Sequence, residues 1–392
     1  MTKGAKVFWG VVVLAVVVIV VALARTPSGE PSGAALPEGP IKIGAVVPLT
    51  GDGAAYGTPI QRAGLLAVEE INAAGGIAGH PLEVVWEDGK CENKEASAAA
   101  QKLINIDQVK VIFGGVCSSE TLAMAPLAEA AKVLVVSPAS SSPDITNAGD
   151  FIFRTYASDA AAGAVAGDYA YKKMDARKVA VISEVKDYAQ GLRRVFKETF
   201  TALGGEVVAD ETYNTGDTDM RTQILKVKNS NPDVVYIVPQ TPSPGILILK
   251  QLAANGVTAK RLTAEVMMGR SVVSENAADM EGLTGVELWF NEQDEQAAAM
   301  LAKYKERYNE DPPFPVFMAT MYSQFYLMKE GIEAHGLNSE ALRDWLYGVK
   351  GWRHALGTLT FDQYGDPVGL PYSVKLVENG DLKELEVYTP GQ

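Results

Sequence analysis

The chain has 392 residues, which exceeds the size of one typical hydrophobic core and suggests two domains. Hydrophobic residues make up 47% of the sequence and charged residues 21%, the composition of an ordinary globular protein. A formal net charge of −13 argues against nucleic acid and anionic membrane surfaces as partners of the folded part.

The N-terminus has the features of an export signal. Lys3 and Lys6 precede a long apolar segment, Val7–Ala24. This segment is long for a signal core and near the lower limit for crossing a bilayer, so residues 1–25 are either a cleaved signal peptide or a retained membrane anchor. Residues 26–40, rich in Pro, Gly, Ser and Ala, predict a flexible linker. In either case we expect the rest of the chain to be periplasmic or otherwise extracytoplasmic.

From Ile41 onward, short apolar strands alternate with amphipathic helices. The strands are rich in Val and Ile, as expected where helices cover both faces of a parallel sheet. The predicted fold class is therefore α/β, with doubly wound parallel sheets that bind ligands at the carboxyl ends of their strands. One set of elements ends before Tyr156 and a second begins after Asp159, which predicts two similar lobes.

The predicted elements are these, in chain order. Strands are predicted at Ile41–Val47, Leu82–Glu87, Val109–Phe113, Val133–Val136, Val179–Ser183, Glu206–Glu211, Val234–Val238 and Arg261–Ala264. Helices are predicted at Gln61–Asn72, Lys94–Ile106, Thr121–Ala131, Ala160–Met174, Gly191–Leu203, Thr218–Asn229 and Ser243–Asn255, with two more near Gln296–Tyr308 and Tyr322–Ala334. A strand-rich tail, Thr358–Val387, contains an Asn379-Gly380 turn signal.

The loop Gly114–Ser119 connects a predicted strand to a predicted helix. Such a turn places free backbone N–H groups and serine hydroxyls at a helix N-terminus, which suits a bound anion. The loop also contains Cys117, and the other cysteine, Cys91, follows the strand at Leu82–Glu87. In an exported chain a disulfide is the default for two cysteines, and two buried free thiols are the alternative.

Further polar residues follow the predicted strands. Ser137–Pro143 offers backbone N–H groups and hydroxyls, although taken alone this loop, Ser118 and Ser119 are better explained by a turn with helix N-caps. Glu265 follows the predicted strand Arg261–Ala264, where an unpaired carboxylate would need a cation as its partner. The alternative is that Glu265 is a solvated loop residue. Tyr56 and Tyr188 are placed in strand-following loops, as aromatic walls or as caps on the fold. Together these residues predict a zwitterion site, with donors for a carboxylate and an acidic group for an ammonium.

Motifs for catalysis are mostly absent from the sequence. There is no Walker A motif, no Gly-x-Ser-x-Gly nucleophile elbow and no Cys-x-x-Cys pair. His80, His335 and His354 are scattered without metal-ligand spacing, and we expect them at the surface or in loops. The sequence therefore predicts a binding protein rather than an enzyme, with no cofactor and no metal.

Several segments resemble the branched-chain amino acid (Leu/Ile/Val-type) binding proteins of ABC transporters. They are Ile41–Gly51, Ala67–Ile77, Cys117–Ser119, Val136–Pro138 and Asp187–Gly191. The resemblance implies a type I periplasmic binding protein fold, in which two doubly wound α/β lobes joined by three crossovers close on a ligand. By similarity the lobes are 41–158 plus 287–368 and 159–286 plus 369–392, and Cys91 and Cys117 match the family's disulfide.

The same resemblance assigns ligand-binding roles to individual residues. It places Ser118, Ser140 and Ser141 on the ligand's α-carboxylate and amino group, and Glu265 on its ammonium. It places Tyr56, Tyr188 and Phe317 in the walls of the site. Gln240 falls where leucine binders have a tyrosine, which makes a more polar amino acid or a small amide credible.

The implied function is capture of an amino acid by lobe closure and delivery to the permease subunits of an ABC transporter. The alternative is a membrane-anchored ligand-sensing protein that binds an amino acid or a small amide. In both cases the membrane is contacted only through the N-terminal segment, and nucleic acid is not a partner.

Overall fold

The computed structural model describes residues 36–389. The predicted signal peptide or anchor, most of the predicted linker and the last three residues lie outside the described part. Within residues 36–389, no helix combines the length and apolar character needed to cross a bilayer.

The first lobe is built on a sheet of five parallel strands. They are β1 (Ile41–Val47), β2 (Leu82–Asp88), β3 (Val111–Phe113), β4 (Leu134–Ser137) and β5 (Ile152–Arg154), in the spatial order β2-β1-β3-β4-β5. β1 pairs with β2 along its whole length, from Ile41 opposite Leu82 to Val47 opposite Asp88. All residues of β3 and β4 are buried, because helices cover both faces of the sheet.

The second lobe is built on a sheet of seven strands. They are β6 (Lys178–Glu184), β7 (Glu206–Tyr213), β8 (Val234–Val238), β9 (Lys260–Ala264) and β10 (Leu283–Leu288), followed late in the chain by β13 (Tyr372–Glu378) and β14 (Asp381–Tyr388). β6–β10 are parallel, whereas β13 and β14 form an antiparallel hairpin at one edge. The predicted Asn379-Gly380 turn joins this hairpin, and both residues have positive φ, 57° and 77°.

Helices connect the strands and pack on the sheets. Those before the second sheet are α1 (Ala54–Ala73), α2 (Asn93–Asn105), α3 (Ser118–Ala131) and α4 (Asp159–Lys172). Those within it are α5 (Asp187–Ala202), α6 (Arg221–Ser230), α7 (Pro242–Ala254), α8 (Arg270–Glu275) and α9 (Ala277–Met280). After β10 come α10 (Glu295–Tyr308), α11 (Pro315–His335), α12 (Ser339–Tyr347) and a small hairpin of β11 (Trp352–His354) and β12 (Gly357–Leu359).

The chain crosses between the lobes three times, after β5, after β10 and before β13. One crossover is fixed by a buried ion pair. Nε and Nη2 of Arg154, which is fully buried, donate to the two carboxylate oxygens of Asp366 at 2.6 Å each. Nη1 of Arg154 also donates to the carbonyl oxygen of Ser142 at 2.9 Å. The last crossover is thus tied to the serine loop at the end of β4.

The predicted α/β class with two doubly wound lobes is confirmed, and β1 and β8 have the predicted bounds. The short strand β5, the strand β10 and the helix α12 were not predicted. Two predicted positions are wrong: Tyr56 and Tyr188 lie in the first turns of α1 and α5, not in loops.

The reason for both errors is a glycine inside a helix. A Cβ at Gly57 would collide with the carbonyl oxygen of Pro48, and a Cβ at Gly191 would lie 2.7 Å from the ring of Pro143. These glycines therefore mark close packing rather than a helix boundary.

Candidate functional site

The carboxyl ends of the parallel strands in the two sheets face each other across a small cavity. Seven of the eight predicted binding residues line it: Tyr56, Ser118, Ser141, Tyr188, Gln240, Glu265 and Phe317. The remaining lining residues are Val116, Cys117, Ala139 and Val266. The structure thus brings together residues that are more than 250 positions apart in the sequence.

The first-lobe side of the cavity is formed by the start of α3 and the serine loop after β4. Ser118 is the first residue of α3, where backbone N–H groups lack partners within the helix. Its Oγ accepts hydrogen bonds from the backbone N–H groups of Ser141 and Ser142, at 3.2 and 3.0 Å. This end of the cavity therefore combines hydroxyls with a helix N-terminus, which favours negative charge.

Ser140 does not line the cavity. Its Oγ lies 2.7 Å from Oγ1 of Thr121 and donates to the carbonyl oxygen of Gly115 at 2.8 Å. Its backbone N–H donates to Oγ of Ser137 at 2.9 Å. The predicted ligand role is replaced by a structural one, because the hydroxyl is already occupied in joining the two first-lobe loops.

A buried carboxylate, Glu120, holds the Gly114–Ser119 loop in place. Its two oxygens accept hydrogen bonds from the backbone N–H groups of Cys91, Val116 and Cys117, each at 2.9 Å. Burial nevertheless raises the pKa of Glu120 to about 7, against the opposing effect of these three bonds.

Cys91 and Cys117 form a disulfide beside this carboxylate, with a Cα–Cα distance of 5.2 Å. The sulfurs and a Glu120 oxygen lie within 4.8 Å of one another. Because the sulfurs are bonded to each other and the carboxylate is occupied by backbone N–H groups, this cluster is a structural clamp rather than a metal site.

The second-lobe side of the cavity contains buried polar atoms without partners. Glu265 follows β9 and is 3% exposed, and its Oε2 has no hydrogen-bond partner. The hydroxyl of Tyr188, which also lines the cavity, is likewise buried and unpaired, as are those of Tyr156 and Tyr236, which do not line it. Burial, reinforced by the nearby carboxylate of Asp159, raises the pKa of Glu265 well above its ordinary value.

Asp159 is a second buried acidic residue near Glu265, outside the cavity lining, that the sequence analysis did not single out. It is the first residue of α4 and 1% exposed, and neither carboxylate oxygen accepts a hydrogen bond. Burial raises its pKa to about 7, opposed by the nearby hydroxyl of Ser141 and guanidinium of Arg154. The signal was weak because an aspartate at the start of a helix is ordinary.

Gln240 and Tyr56 meet across the lobes. The backbone N–H of Gln240 donates to Oε2 of Glu184 at 2.9 Å, and its carbonyl oxygen accepts from the Tyr56 hydroxyl at 3.3 Å. Nε2 of Gln240 donates to the same hydroxyl at 3.4 Å, while Oε1 is buried without a partner. The Tyr56 ring packs near Phe314 and Phe317, with ring centroids 6.1 and 6.4 Å away.

The lobes contact each other on both sides of the cavity. Nζ of Lys186 pairs with Glu92 at 2.8 Å and donates to the carbonyl oxygen of Cys91 at 3.3 Å. On the other side, the backbone N–H of Arg270 donates to the carbonyl oxygen of Pro313 at 2.9 Å. The two lobes therefore meet on both sides of the cavity.

This arrangement provides opposite chemistry at its two ends. Hydrogen-bond donors and the N-terminus of α3 lie on the first lobe. The unpaired buried carboxyl groups of Asp159 and Glu265 lie on the second lobe. A buried carboxylate is costly unless a cation pairs with it. The geometry therefore suits a small zwitterion held between the lobes.

Comparison with known proteins agrees with this geometry. The family model for periplasmic binding proteins matches residues 40–380. A leucine-, isoleucine-, valine-, threonine- and alanine-binding protein of Pseudomonas aeruginosa is 34% identical over 342 residues, which are 85% of this chain and 89% of the relative.

Solved structures give the same result. A leucine-binding protein of Thermotoga maritima superposes with a TM-score of 0.83 at 29% identity, covering 89% of this chain and 99% of the other. A branched-chain amino acid transporter substrate-binding protein of Streptococcus pneumoniae, in complex with isoleucine, gives 0.81 at 30% identity, covering 90% and 100%. The chain belongs to the periplasmic binding protein family, among the Leu/Ile/Val-type substrate-binding proteins of ABC transporters.

Proposed function

We propose that this protein captures an α-amino acid between its lobes. The observation that carries the proposal is the pair of buried, unpaired carboxyl groups of Glu265 and Asp159, opposite the N-terminus of α3. The ligand's ammonium lies between these carboxylates. Its carboxylate accepts hydrogen bonds from Ser118, Ser141 and backbone N–H groups, and its side chain contacts Tyr56 and Phe317.

The expected energetics are sufficient for useful affinity. Hydrogen bonds to charged groups contribute roughly 1.5–3 kcal/mol each. Micromolar binding requires about −8 kcal/mol in total. A few such bonds at each end of the ligand, together with burial of its side chain, offset the cost of desolvating both ligand charges.

Binding is coupled to lobe closure, because the ligand touches both lobes and stabilises the arrangement in which they meet. The predicted lobes are 41–158 plus 287–368 and 159–286 plus 369–392. We propose that the boundary after residue 286 lies after Leu288, because β10 continues to that residue within the second sheet. The predicted hinge motion separates Lys186 from Glu92 and Tyr56 from Gln240.

The relatives support a role in uptake. Their names describe an amino acid binding protein and the substrate-binding protein of a branched-chain amino acid transporter. We propose that this protein is exported by its N-terminal segment, works outside the cytoplasm and delivers its ligand to permease subunits. Whether residues 1–25 are cleaved is decided by N-terminal sequencing of the mature protein.

Replacement of Glu265 tests the proposal. Glu265→Ala should weaken binding of every α-amino acid that the wild type binds by at least about 100-fold, because the ammonium loses its carboxylate partner. A thermal-shift screen of the purified protein against L-amino acids identifies the ligands, and titration calorimetry measures both affinities.

Glu306→Ala is the matched control, since Glu306 is an exposed carboxylate on α10 and its loss should leave binding unchanged. Unchanged calorimetric affinity in a folded Glu265→Ala protein would falsify the zwitterion assignment.

A further inference from the structure

The amide of Gln240 has one buried hydrogen-bonding atom that no protein group satisfies. Gln240 is 4% exposed, lines the cavity, and its Oε1 has no partner. The backbone on both sides of this side chain is fixed, since its N–H is bound to Glu184 and its carbonyl oxygen to Tyr56. These contacts hold the backbone of Gln240 at the cavity wall, and the contact of Nε2 with the Tyr56 hydroxyl orients its side chain.

The orientation of the amide follows from the Tyr56 hydroxyl. That hydroxyl carries a single hydrogen, and three of its neighbours can only accept it: the disulfide sulfurs of Cys91 and Cys117, at 3.0 and 3.2 Å, and the carbonyl oxygen of Gln240, at 3.3 Å. It therefore accepts from Nε2 of the same residue, at 3.4 Å. The amide nitrogen is thereby engaged, and Oε1 remains as an acceptor for a group that enters the cavity.

The ligand's ammonium does not need this oxygen. An ammonium has three N–H groups. Oε2 of Glu265 and both carboxylate oxygens of Asp159 already provide three buried and unpaired acceptors. Gln240 instead follows β8 and is bound to Tyr56, which together with Phe317 forms the aromatic wall proposed to contact the ligand side chain.

We propose that Gln240 accepts a hydrogen bond from the side chain of the bound amino acid, so that the protein prefers uncharged polar side chains with an O–H or N–H donor over aliphatic side chains of the same shape. The inference rests on the proposed function. Its physical basis is that an aliphatic ligand leaves the amide oxygen buried and unpaired, next to the apolar surfaces of Val116, Val266 and Phe317.

Sites built to hydrogen-bond a ligand group reject the analogue that lacks it more strongly than apolar pockets reject an added methylene. Oε1 of Gln240 therefore selects for a hydrogen-bond donor on the ligand side chain, while the other residues that line the cavity limit the size of that side chain.

Isosteric ligand pairs test this inference on the full chain. Threonine and valine have the same shape but differ in one hydroxyl, and asparagine and leucine form a second pair. In titration calorimetry the wild type should bind threonine about tenfold more tightly than valine, with asparagine favoured over leucine in the same direction. In Gln240→Met, which keeps the side-chain length without the amide, the threonine preference should disappear or reverse.

Gln101→Met is the control, because Gln101 is exposed on α2 and does not line the cavity. Wild-type binding of valine as tight as that of threonine would overturn the inference and leave the proposed function standing. An unchanged threonine preference in Gln240→Met would also overturn it. Absence of binding by all four amino acids would contradict the proposed function itself. The comparison of threonine with valine in the wild type tests the inference even if Gln240→Met fails to fold.

Discussion

The two sides of the cavity differ in how their buried polar groups are satisfied. On the first lobe, Glu120 accepts three backbone hydrogen bonds, Ser118 accepts two and Ser140 joins two loops. On the other side, polar atoms of three lining residues, Tyr188, Gln240 and Glu265, lack any partner among the described residues. Outside the lining, polar atoms of Tyr156, Asp159 and Tyr236 are also buried and unpaired.

This difference indicates a division of labour within the site. The first-lobe surface is organised by its own hydrogen bonds and keeps its geometry without ligand, so little ordering cost is added on binding. The second-lobe surface is costly to bury until a ligand supplies the missing partners. The ligand therefore favours closure mainly through what it provides to the second lobe.

Asp159→Asn should produce the largest effect of the substitutions that separate the two sides. The amide removes one of the two negative charges beside the ammonium, so amino acid affinity should fall by about 100-fold. The ligand-free protein should be as stable as the wild type or more stable, because an unpaired buried carboxyl has been replaced by a neutral group. Calorimetry measures the affinity, and thermal unfolding measures the stability.

Asp175→Asn provides the control for this substitution. Asp175 is 85% exposed and has a positive φ of 56°, a conformation that asparagine tolerates. A marked loss of stability in Asp159→Asn, with affinity retained, would mean that Asp159 has a structural role instead.

Glu120→Gln should have the opposite signature. In the wild type, three backbone N–H groups donate to the two carboxylate oxygens of Glu120. The glutamine side chain replaces one of these oxygens with an NH2 group, which cannot accept, so at least one buried backbone N–H loses its partner. We expect the free energy of unfolding to fall by about 2 kcal/mol, with affinity changing less than tenfold. Chemical denaturation and calorimetry on the same preparation give both numbers.

Glu198→Gln, on an exposed face of α5, should change neither quantity. If Glu120→Gln weakened binding as strongly as Asp159→Asn, the proposed contrast between the two lobes would not hold.

The sequence allowed much of the fold and the site to be predicted because the relevant signals are local. The strands β1 and β8 are continuous Val- and Ile-rich runs, and polar residues directly after strands lie at the cleft by topology alone. Glu265, Ser118 and Ser141 were found in this way.

What could not be predicted depends on contacts between distant segments. The role of Ser140 differs from that of Ser141 only because Thr121 and Gly115 lie behind it. Asp159 is indistinguishable from an ordinary helix-start residue until the two lobes bury it. Gly57 and Gly191 interrupt the helix pattern because of neighbours that the sequence does not reveal.

The pH dependence of binding sharpens the contrast further. Without ligand, burial raises the pKa of Asp159 to about 7 and that of Glu265 well above its ordinary value, so these carboxyls bind protons close to neutral pH. An ammonium favours the charged forms of both carboxyls and therefore lowers both pKa values. Two other charged groups act on them: Arg154 favours the charged form of Asp159, and Glu287 disfavours the charged form of Glu265. Ligand binding therefore releases protons, and affinity should fall as the pH drops below about 7, by up to about tenfold per pH unit for one proton.

Stability of the ligand-free protein should change in the reverse direction. A carboxyl with a raised folded-state pKa contributes stability below its unfolded pKa, and this contribution is lost as the pH rises through about 7. Glu120 shares the raised pKa of about 7, but we expect its backbone partners to stay the same on binding.

Proton release on ligand binding, measured by calorimetry in buffers of different ionisation enthalpy, should therefore shrink in Asp159→Asn and persist in Glu120→Gln. Equal release in wild type and Asp159→Asn would assign the proton elsewhere, and the first lobe would then share in the electrostatic response to the ligand.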